Sequence, residues 1–167
     1  MFFQDPSLCR PGRYGVLLLF SMLSIKGILE MGKEYAFPRP KTCLRDGCGS
    51  CRVWGHGFVE AWFEGYGKPV WLKRYICADC GCVYTIRPFG YWPRHRVPAR
   101  IIFRSLCHRI EHGKWEKGGF TKQRQINWLK ALRKNIKIHL GMSFAGDVIE
   151  GFFELLHGGR IPVLRPG

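Results

Sequence analysis

The chain has 167 residues and a mass of 19.3 kDa, enough for one domain or for a small domain with an appended module. Hydrophobic residues make up 46% and charged residues 23%, a balance that excludes an intrinsically disordered protein. The 27 Lys and Arg against 12 Asp and Glu leave a net charge of +15, which predicts a polyanionic partner and favours nucleic acid over an anionic membrane surface.

Residues 1–32 form an apolar leader. Residues 14–29 are mostly apolar and follow Arg10 and Arg13, as in a signal peptide, but Lys26 interrupts the run and no small-residue cleavage site follows it. The stretch is also short for a membrane span, so no membrane partner is expected. We predict a buried or loosely packed N-terminal helix. Alternatively, translation starts at Met31 and residues 1–30 have no function.

Residues 41–90 contain paired cysteines, with aromatic and β-branched residues between them. A stiff linker with two prolines, at residues 37–40, precedes this region. Short strands are predicted at residues 53–54, 59–63 and 70–76, because β-branched and aromatic residues there are separated by glycines. The region is therefore expected to form a small β domain around its cysteines.

Cysteines are concentrated between positions 43 and 82, while Cys9 and Cys107 lie apart. A secreted disulfide framework would spread its cysteines through a shorter chain, so the clustered pairs indicate metal ligands in a reducing, cytoplasmic environment. Cys82 lies only two positions after Cys80. A backbone so tightly turned is not expected to offer the sulfurs of both Cys80 and Cys82 to one metal ion. We expect Cys82, Cys9 and Cys107 to be packed or free thiols.

Cys77 and Cys80 have the two-residue gap that lets two thiolates close around one metal ion. Two upstream cysteine pairs are candidates for the other two ligands of the same metal ion. Cys48 and Cys51 repeat the two-residue gap, whereas Cys43 and Cys48 have a four-residue gap, and both spacings occur in structural zinc sites. Either set supplies four thiolates and leaves no open coordination position. The spacing therefore predicts a structural Zn²⁺ site, with Cys51 competing with Cys43 as the fourth ligand.

Residues 91–142 carry most of the positive charge. They hold 13 Lys and Arg against Glu111 and Glu116, which gives +11 of the total +15. Pro98 is suited to the start of one helix, and Thr121 is a plausible N-cap for a second that runs to about His139. Apolar residues at helical spacing line one face of the second helix, namely Leu129, Leu132, Ile136 and Leu140.

Basic side chains accompany both helices of this zone, and those of the second are expected on the flank beside its apolar stripe. A helix with an apolar seam and a basic stripe can pack on a protein core while it presents charge to a phosphate backbone. The predicted nucleic-acid-binding residues are Arg94, Arg96, Arg100, Arg104, Lys130, Arg133, Lys134 and Lys137. Residues 143–167 are nearly neutral and predict one amphipathic helix at 144–156 and a tail.

Several short motifs in residues 41–100 together resemble a known family. In chain order they are Cys43-x4-Cys48-Gly-Ser, Trp54-Gly-His-Gly57, Arg74-Tyr-Ile-Cys77-x2-Cys80-Gly, Tyr84-Thr85 and Arg87-Pro88-Phe89. The chain is similar to the zinc ribbons that open many bacterial transposases, and more closely to a group of small, uncharacterised zinc-ribbon proteins of bacterial mobile elements. The resemblance favours Cys43 and Cys48 as the first ligand pair and places Cys51 where the family varies. It also implies a helix-turn-helix-like segment after the ribbon, at residues 98–140.

Together these features predict an α+β fold, in which a small β zinc ribbon is followed by a helical, helix-turn-helix-like basic segment. The expected function is that of a zinc-dependent nucleic-acid-binding protein, with double-stranded DNA as partner and a transposase-like or accessory role on a mobile element. An RNA- or ribosome-binding ribbon and a structural protein-interaction ribbon are the alternatives. No catalytic residue is predicted, because no second βαβ region is available to host an acidic triad.

Overall fold

The computed structural model describes residues 16–164. Within that range the chain forms four β-strands and four α-helices, which confirms the predicted α+β class. The chain divides into two compact units, Met1–Phe89 and Gly90–Gly167, and each has its own hydrophobic core. In the described part of the chain, no helix combines the length and the apolarity needed to cross a membrane.

The first unit is built on one mixed sheet. Its elements in chain order are β1 (Val16–Ser21), α1 (Ile25–Met31), a 3₁₀ turn (Gly32–Glu34), β2 (Val53–Ala61), β3 (Val70–Cys77) and β4 (Val83–Pro88). The strand order is β1-β4-β3-β2. β2, β3 and β4 form an antiparallel meander, and β1 adds to β4 in parallel. The two outer strands, β1 and β2, are therefore the ones furthest apart in the sheet.

The apolar leader forms a strand followed by a short helix, so the prediction of an N-terminal helix is wrong for residues 16–21. Leu19 and Phe20 of β1 are buried, as are Ile25 and Ile28 of α1. The side chain of Ser24 accepts the Gly27 amide hydrogen and caps α1. Hydrogen bonds to the distant β4 outweigh the local helical tendency of the apolar run. The leader before residue 16 lies outside the described residues.

β2 is a single strand where two short strands were predicted. The ladder with β3 shifts register between Gly55 and Phe58, so one extra residue is absorbed there as a bulge. Gly57 has a φ of 82°, in the left-handed region that favours glycine. The glycines therefore bend this outer strand without ending it. β4 was not among the predicted strands, and it follows directly after the second cysteine pair.

The second unit consists of three helices, α2 (Ala99–His112), α3 (Lys122–His139) and α4 (Val148–His157). α3 starts after Thr121 as predicted, and the Thr121 hydroxyl accepts the Arg124 amide hydrogen. Pro98, predicted as the first helical residue of α2, is instead the residue before it, because α2 begins at Ala99. Residues 113–121 connect α2 to α3. This connection is longer than the turn of about three or four residues that is typical of a helix-turn-helix.

α4 begins four residues later than predicted, because Asp147 and Glu150 form a capping box at its start. The Asp147 carboxylate accepts the Glu150 amide hydrogen at 2.8 Å, and the Glu150 carboxylate accepts that of Asp147 at 2.9 Å. The core of this unit lies between the three helices and is formed by Ile102, Leu106, Leu132, Phe152 and Leu155.

We predict that β1 contributes strongly to the stability of the first unit. Leu19 is only 1% exposed and packs in the core with Tyr84 and Ile86, so Leu19→Ala should lower the free energy of unfolding by about 2–5 kcal/mol. Met22 directly follows β1 and is 86% exposed, which makes Met22→Ala the matched control. Urea denaturation followed by circular dichroism measures both variants. Equal stability of the two variants would contradict a structural role for the leader.

Candidate metal centre

Four cysteine thiols from two separate loops lie together in the first unit. The sulfur atoms of Cys43, Cys48, Cys77 and Cys80 are all within 4.8 Å of one another. Across residues 16–164, this is the only group of three or more His, Cys, Asp or Glu side chains close enough to hold a metal ion. Cys51 is exposed and lies outside the group. The structure thus brings Cys43 rather than Cys51 to the other three thiols.

The spacing of the sulfur atoms fits one tetrahedral metal ion. A metal–sulfur distance of about 2.3 Å places the sulfurs of a tetrahedral site about 3.8 Å apart. The Cys43 and Cys80 sulfurs are 3.5 Å apart, and those of Cys48 and Cys77 are 3.8 Å apart. No cysteine among the seven at described positions forms a disulfide. These two distances are close to those of a tetrahedral site, and the four thiols can therefore hold one metal ion.

The second ligand pair lies on the turn between β3 and β4. Cys77 is the last residue of β3, and its amide donates to the Cys82 carbonyl at 2.9 Å, which closes the turn. The Gly81 amide donates to the Cys77 carbonyl at 3.0 Å, and Gly81 has a φ of 68°. A glycine is favoured at that conformation. The antiparallel pairing of the two strands thus fixes the separation of Cys77 and Cys80.

The first ligand pair lies on the loop between α1 and β2. Within this loop the Cys48 amide donates to the Arg45 carbonyl at 3.0 Å, and the Cys43 amide donates to the Ser50 carbonyl at 2.6 Å. Gly47 and Gly49 both have positive φ, of 76° and 58°. These turns fold the loop back on itself, so that both of its ligand sulfurs face the same point.

Polar contacts join the two loops next to the thiols. The Ala78 amide donates to the Arg52 carbonyl at 2.8 Å, and the Arg52 guanidinium forms an ion pair with Asp79 at 2.7 Å. The Arg45 guanidinium donates to the Cys80 carbonyl at 3.2 Å. Because both arginines are exposed, each ion pair or hydrogen bond adds little stability by itself. Their role is to set the register between the loops.

Tyr84, on β4, contacts the candidate metal centre through its hydroxyl. Its hydroxyl lies 2.6 Å from the Cys43 sulfur and accepts the Leu44 amide hydrogen at 3.0 Å. Burial raises the pKa of Tyr84 well above its usual value, so the hydroxyl keeps its proton and can donate it to the sulfur. Hydrogen bonds of this kind orient a ligand and tune its charge. This contact depends on strand pairing and was not predicted as part of the site.

The thiols differ in how readily they ionise. Burial raises the pKa of Cys43 to about 12, although the hydrogen bond from Tyr84 works in the opposite direction. Burial also opposes ionisation of Cys77, but hydrogen bonds from the amides of Cys80 and Asp79 and from the Cys80 and Cys43 thiols together bring the pKa of Cys77 down to about 7. A metal ion bound by all four sulfurs must displace protons from the less acidic thiols. Metal affinity is therefore expected to rise with pH.

The basic residues predicted on α3 form one exposed stripe on the outside of the second unit. Each residue advances a helix by about 100°, so Lys130, Arg133, Lys134 and Lys137 occupy an arc of about 100°. All four are exposed. Around the helix axis, the centre of this stripe lies about 170° from the centre of the face formed by the buried residues of α3. The predicted apolar stripe of Leu129, Leu132, Ile136 and Leu140 packs in or against the core of this unit, and the basic residues lie on its flank, about 100° away.

The other predicted basic residues precede or belong to α2. Arg94 and Arg96 lie in the loop before the helix, whereas Arg100 and Arg104 lie on it, and all four are exposed. Arg104 forms an ion pair with Glu116 at 3.0 Å, so part of its charge is neutralised within the protein. The stripe on α3 is thus the more compact of the two sets of basic residues.

Comparison of the chain with protein-family models, with curated proteins and with solved structures finds no match. The similarity to transposase-type zinc ribbons therefore stays a prediction from the motifs of residues 41–100.

We predict that Cys43, and not Cys51, is the fourth metal ligand. Cys43→Ser should lower the bound metal well below one ion per chain and destabilise the first unit, since a structural metal of this type contributes on the order of 10 kcal/mol to folding. Cys51→Ser should keep both the metal and the stability, because the Cys51 side chain is exposed outside the group. Elemental analysis and thermal unfolding test this, and loss of metal from Cys51→Ser alone would refute it.

We also predict that the Tyr84 hydroxyl strengthens metal binding. Tyr84→Phe removes the hydrogen bond to Cys43 and should weaken metal affinity by about 10–100-fold in a chelator competition. Tyr75→Phe is the matched control, since Tyr75 is buried in the same core but donates its hydroxyl hydrogen to the Phe37 carbonyl. If both variants bind metal equally well, the Tyr84 contact has no influence on the centre.

Proposed function

We propose that this protein is a zinc-dependent nucleic-acid-binding protein whose partner is double-stranded DNA. The observation that carries the proposal is the exposed stripe of Lys130, Arg133, Lys134 and Lys137 on α3. In the described part of the chain, none of the four side chains forms an ion pair with a carboxylate. Four unneutralised charges on one helical face favour a polyanion as partner.

The dimensions of the stripe suit a phosphate backbone. From Lys130 to Lys137 the helix rises about 10 Å, and a duplex of that length carries about six negative charges. Each basic group that neutralises a phosphate releases condensed counterions, which drives association. The stripe lies on a helix whose opposite face is buried, so its side chains are presented from a rigid support. Arg94, Arg96 and Arg100 would add contacts from the region around the start of α2.

Zinc is the metal we propose for the four-cysteine centre. Zn²⁺ prefers a tetrahedral set of thiolates, and with four sulfur ligands it has no free position for a substrate. Bound there by Cys43, Cys48, Cys77 and Cys80, it would hold the two loops together as a structural ion. The proposal includes a cytoplasmic location, where the thiols stay reduced. Elemental analysis of the purified chain tests the identity of the metal, with one zinc per chain expected and one iron contradicting it.

We propose a binding role and not a catalytic one, in a transposase-like or accessory protein of a mobile element. The supporting observation for the mobile element is the set of cysteine, His-Gly and Arg-Tyr motifs in residues 41–100. A competition between structured RNA and duplex DNA tests the alternative partner. Tighter binding of the structured RNA would indicate an RNA-binding protein.

The stripe on α3 is expected to be the main DNA-binding surface. Replacing Lys130, Arg133, Lys134 and Lys137 together by alanine should weaken binding to all duplex sequences. It should also flatten the log–log salt dependence by about 0.9 for each phosphate that the variant no longer neutralises. The fold and the metal content should be unchanged, because all four side chains are exposed. Fluorescence anisotropy with a labelled duplex of random sequence, at several salt concentrations, measures the effect.

A control variant separates a specific surface from net charge. Replacing Lys26, Lys41, Lys68 and Lys117 by alanine removes the same number of charges from exposed positions outside α3. This control should keep most of the affinity and of the salt slope. Equally weakened binding in the two variants would show that binding depends only on the net charge of the chain.

A further inference from the structure

The second unit contains a recess of about 660 Å³ that the metal centre and the basic stripe do not explain. It lies between the C-terminal part of α2, the middle of α3 and the residues that lead into α4. The residues that define its chemistry are Arg109, Ile110, Trp115, Leu129, Lys130 and Arg133. Its volume falls within the range of about 300–1,000 Å³ that is usual for small-ligand sites.

The recess is continuous with the basic stripe. Lys130 and Arg133 belong to both, since they are exposed members of the stripe and also line the recess. A phosphate backbone that follows α3 would therefore pass the mouth of the recess. A group attached to that backbone could enter it while the phosphate stays at the stripe.

One wall of the recess is flat, aromatic and cationic. The guanidinium carbon of Arg109 lies 5.0 Å from the centre of the Trp115 ring, within the distance for a cation–π contact. Arg109 also donates a hydrogen bond to the Gly113 carbonyl at the end of α2, which holds the guanidinium in place. Aromatic rings and arginine planes are the groups on which nucleic-acid bases stack.

The remaining walls are mainly apolar, with one acidic residue. Ile110 and Leu129 provide the apolar surface, and Asp147 also lines the recess. The Asp147 carboxylate accepts the amide hydrogens of Ile149 and Glu150, so it faces the positive end of α4. Three cations and one capped carboxylate leave the recess with a positive balance that suits a ligand with one phosphate and one apolar, planar part.

We propose that this recess binds an unpaired nucleotide of the nucleic acid, with its phosphate at Lys130 and Arg133 and its base against the Arg109–Trp115 wall. A base within a duplex is stacked and paired and cannot enter, so the protein would prefer a site with unpaired nucleotides next to a duplex. The proposal rests on the proposed function and adds the kind of site that the protein selects.

A duplex with an internal bulge tests this preference. The probes are a labelled 20-base-pair DNA and the same duplex with three unpaired thymidines on one strand, compared by anisotropy at equal salt. The parent protein should bind the bulged duplex about tenfold more tightly, in line with the contribution of one stacked base. Trp115→Ala should abolish this preference and leave the affinity for the paired duplex and its salt slope unchanged.

Two further measurements accompany the Trp115 variant, and the second uses the parent protein, so it does not depend on the stability of a variant. Trp62→Ala is the matched control, since Trp62 is 45% exposed and belongs to the first unit, and it should keep the preference. Photocrosslinking of the parent to a bulge that carries 5-iododeoxyuridine should label peptides containing Trp115. Labelling elsewhere, or a preference that survives Trp115→Ala, overturns the proposal.

The outcomes also separate this proposal from the proposed function. If the parent binds paired and bulged duplexes equally well, the recess does not accept a nucleotide, but the basic stripe remains the DNA-binding surface. If the parent binds neither DNA, the proposed function itself fails and this inference fails with it.

Discussion

The four thiols of the first unit lie close enough to hold one metal ion, and the loop before β2 and the turn after β3 meet at them. Cys43 and Cys77 are almost fully buried and belong to the same core as Leu19 and Tyr84. Thiolates in such surroundings are costly unless a cation lies between them. The loop before β2 and the turn after β3 have little apolar surface of their own. A metal ion held by the four thiols would therefore compensate for the small core of this unit, as in other small domains.

The ligand set was only partly predictable from the sequence. The gap between Cys77 and Cys80 identified one pair, since it follows from local backbone geometry. The family resemblance favoured Cys43 over Cys51, but spacing alone could not choose between them, because the contacts that hold Cys43 at the site involve distant residues such as Tyr84. The same holds for β1, whose parallel pairing with β4 joins residues far apart in the chain. Local periodicity predicted a helix there because it has no access to such partners.

Helical periodicity was a better guide in the second unit, where it gave both ends of α3. It did not identify the two polar residues of α3 that are buried. Gln125 accepts a hydrogen bond from the Ser105 hydroxyl, and Asn135 donates to the Pro162 and Leu164 carbonyls. Both are at most 3% exposed. Both lie within the arc of the helix bounded by Ala131 and Leu129, so they add polar contacts to the buried face without widening it.

The parallel pairing of β1 with β4 also has a consequence during biosynthesis. β1 leaves the ribosome about 60 residues ahead of β4, an interval of roughly 3–12 s at translation rates of about 5–20 residues per second. For that time its Val-Leu-Leu-Leu-Phe run has no sheet to join, and its apolar side chains stay exposed to other chains. The first unit can therefore complete its sheet only after β4 has emerged.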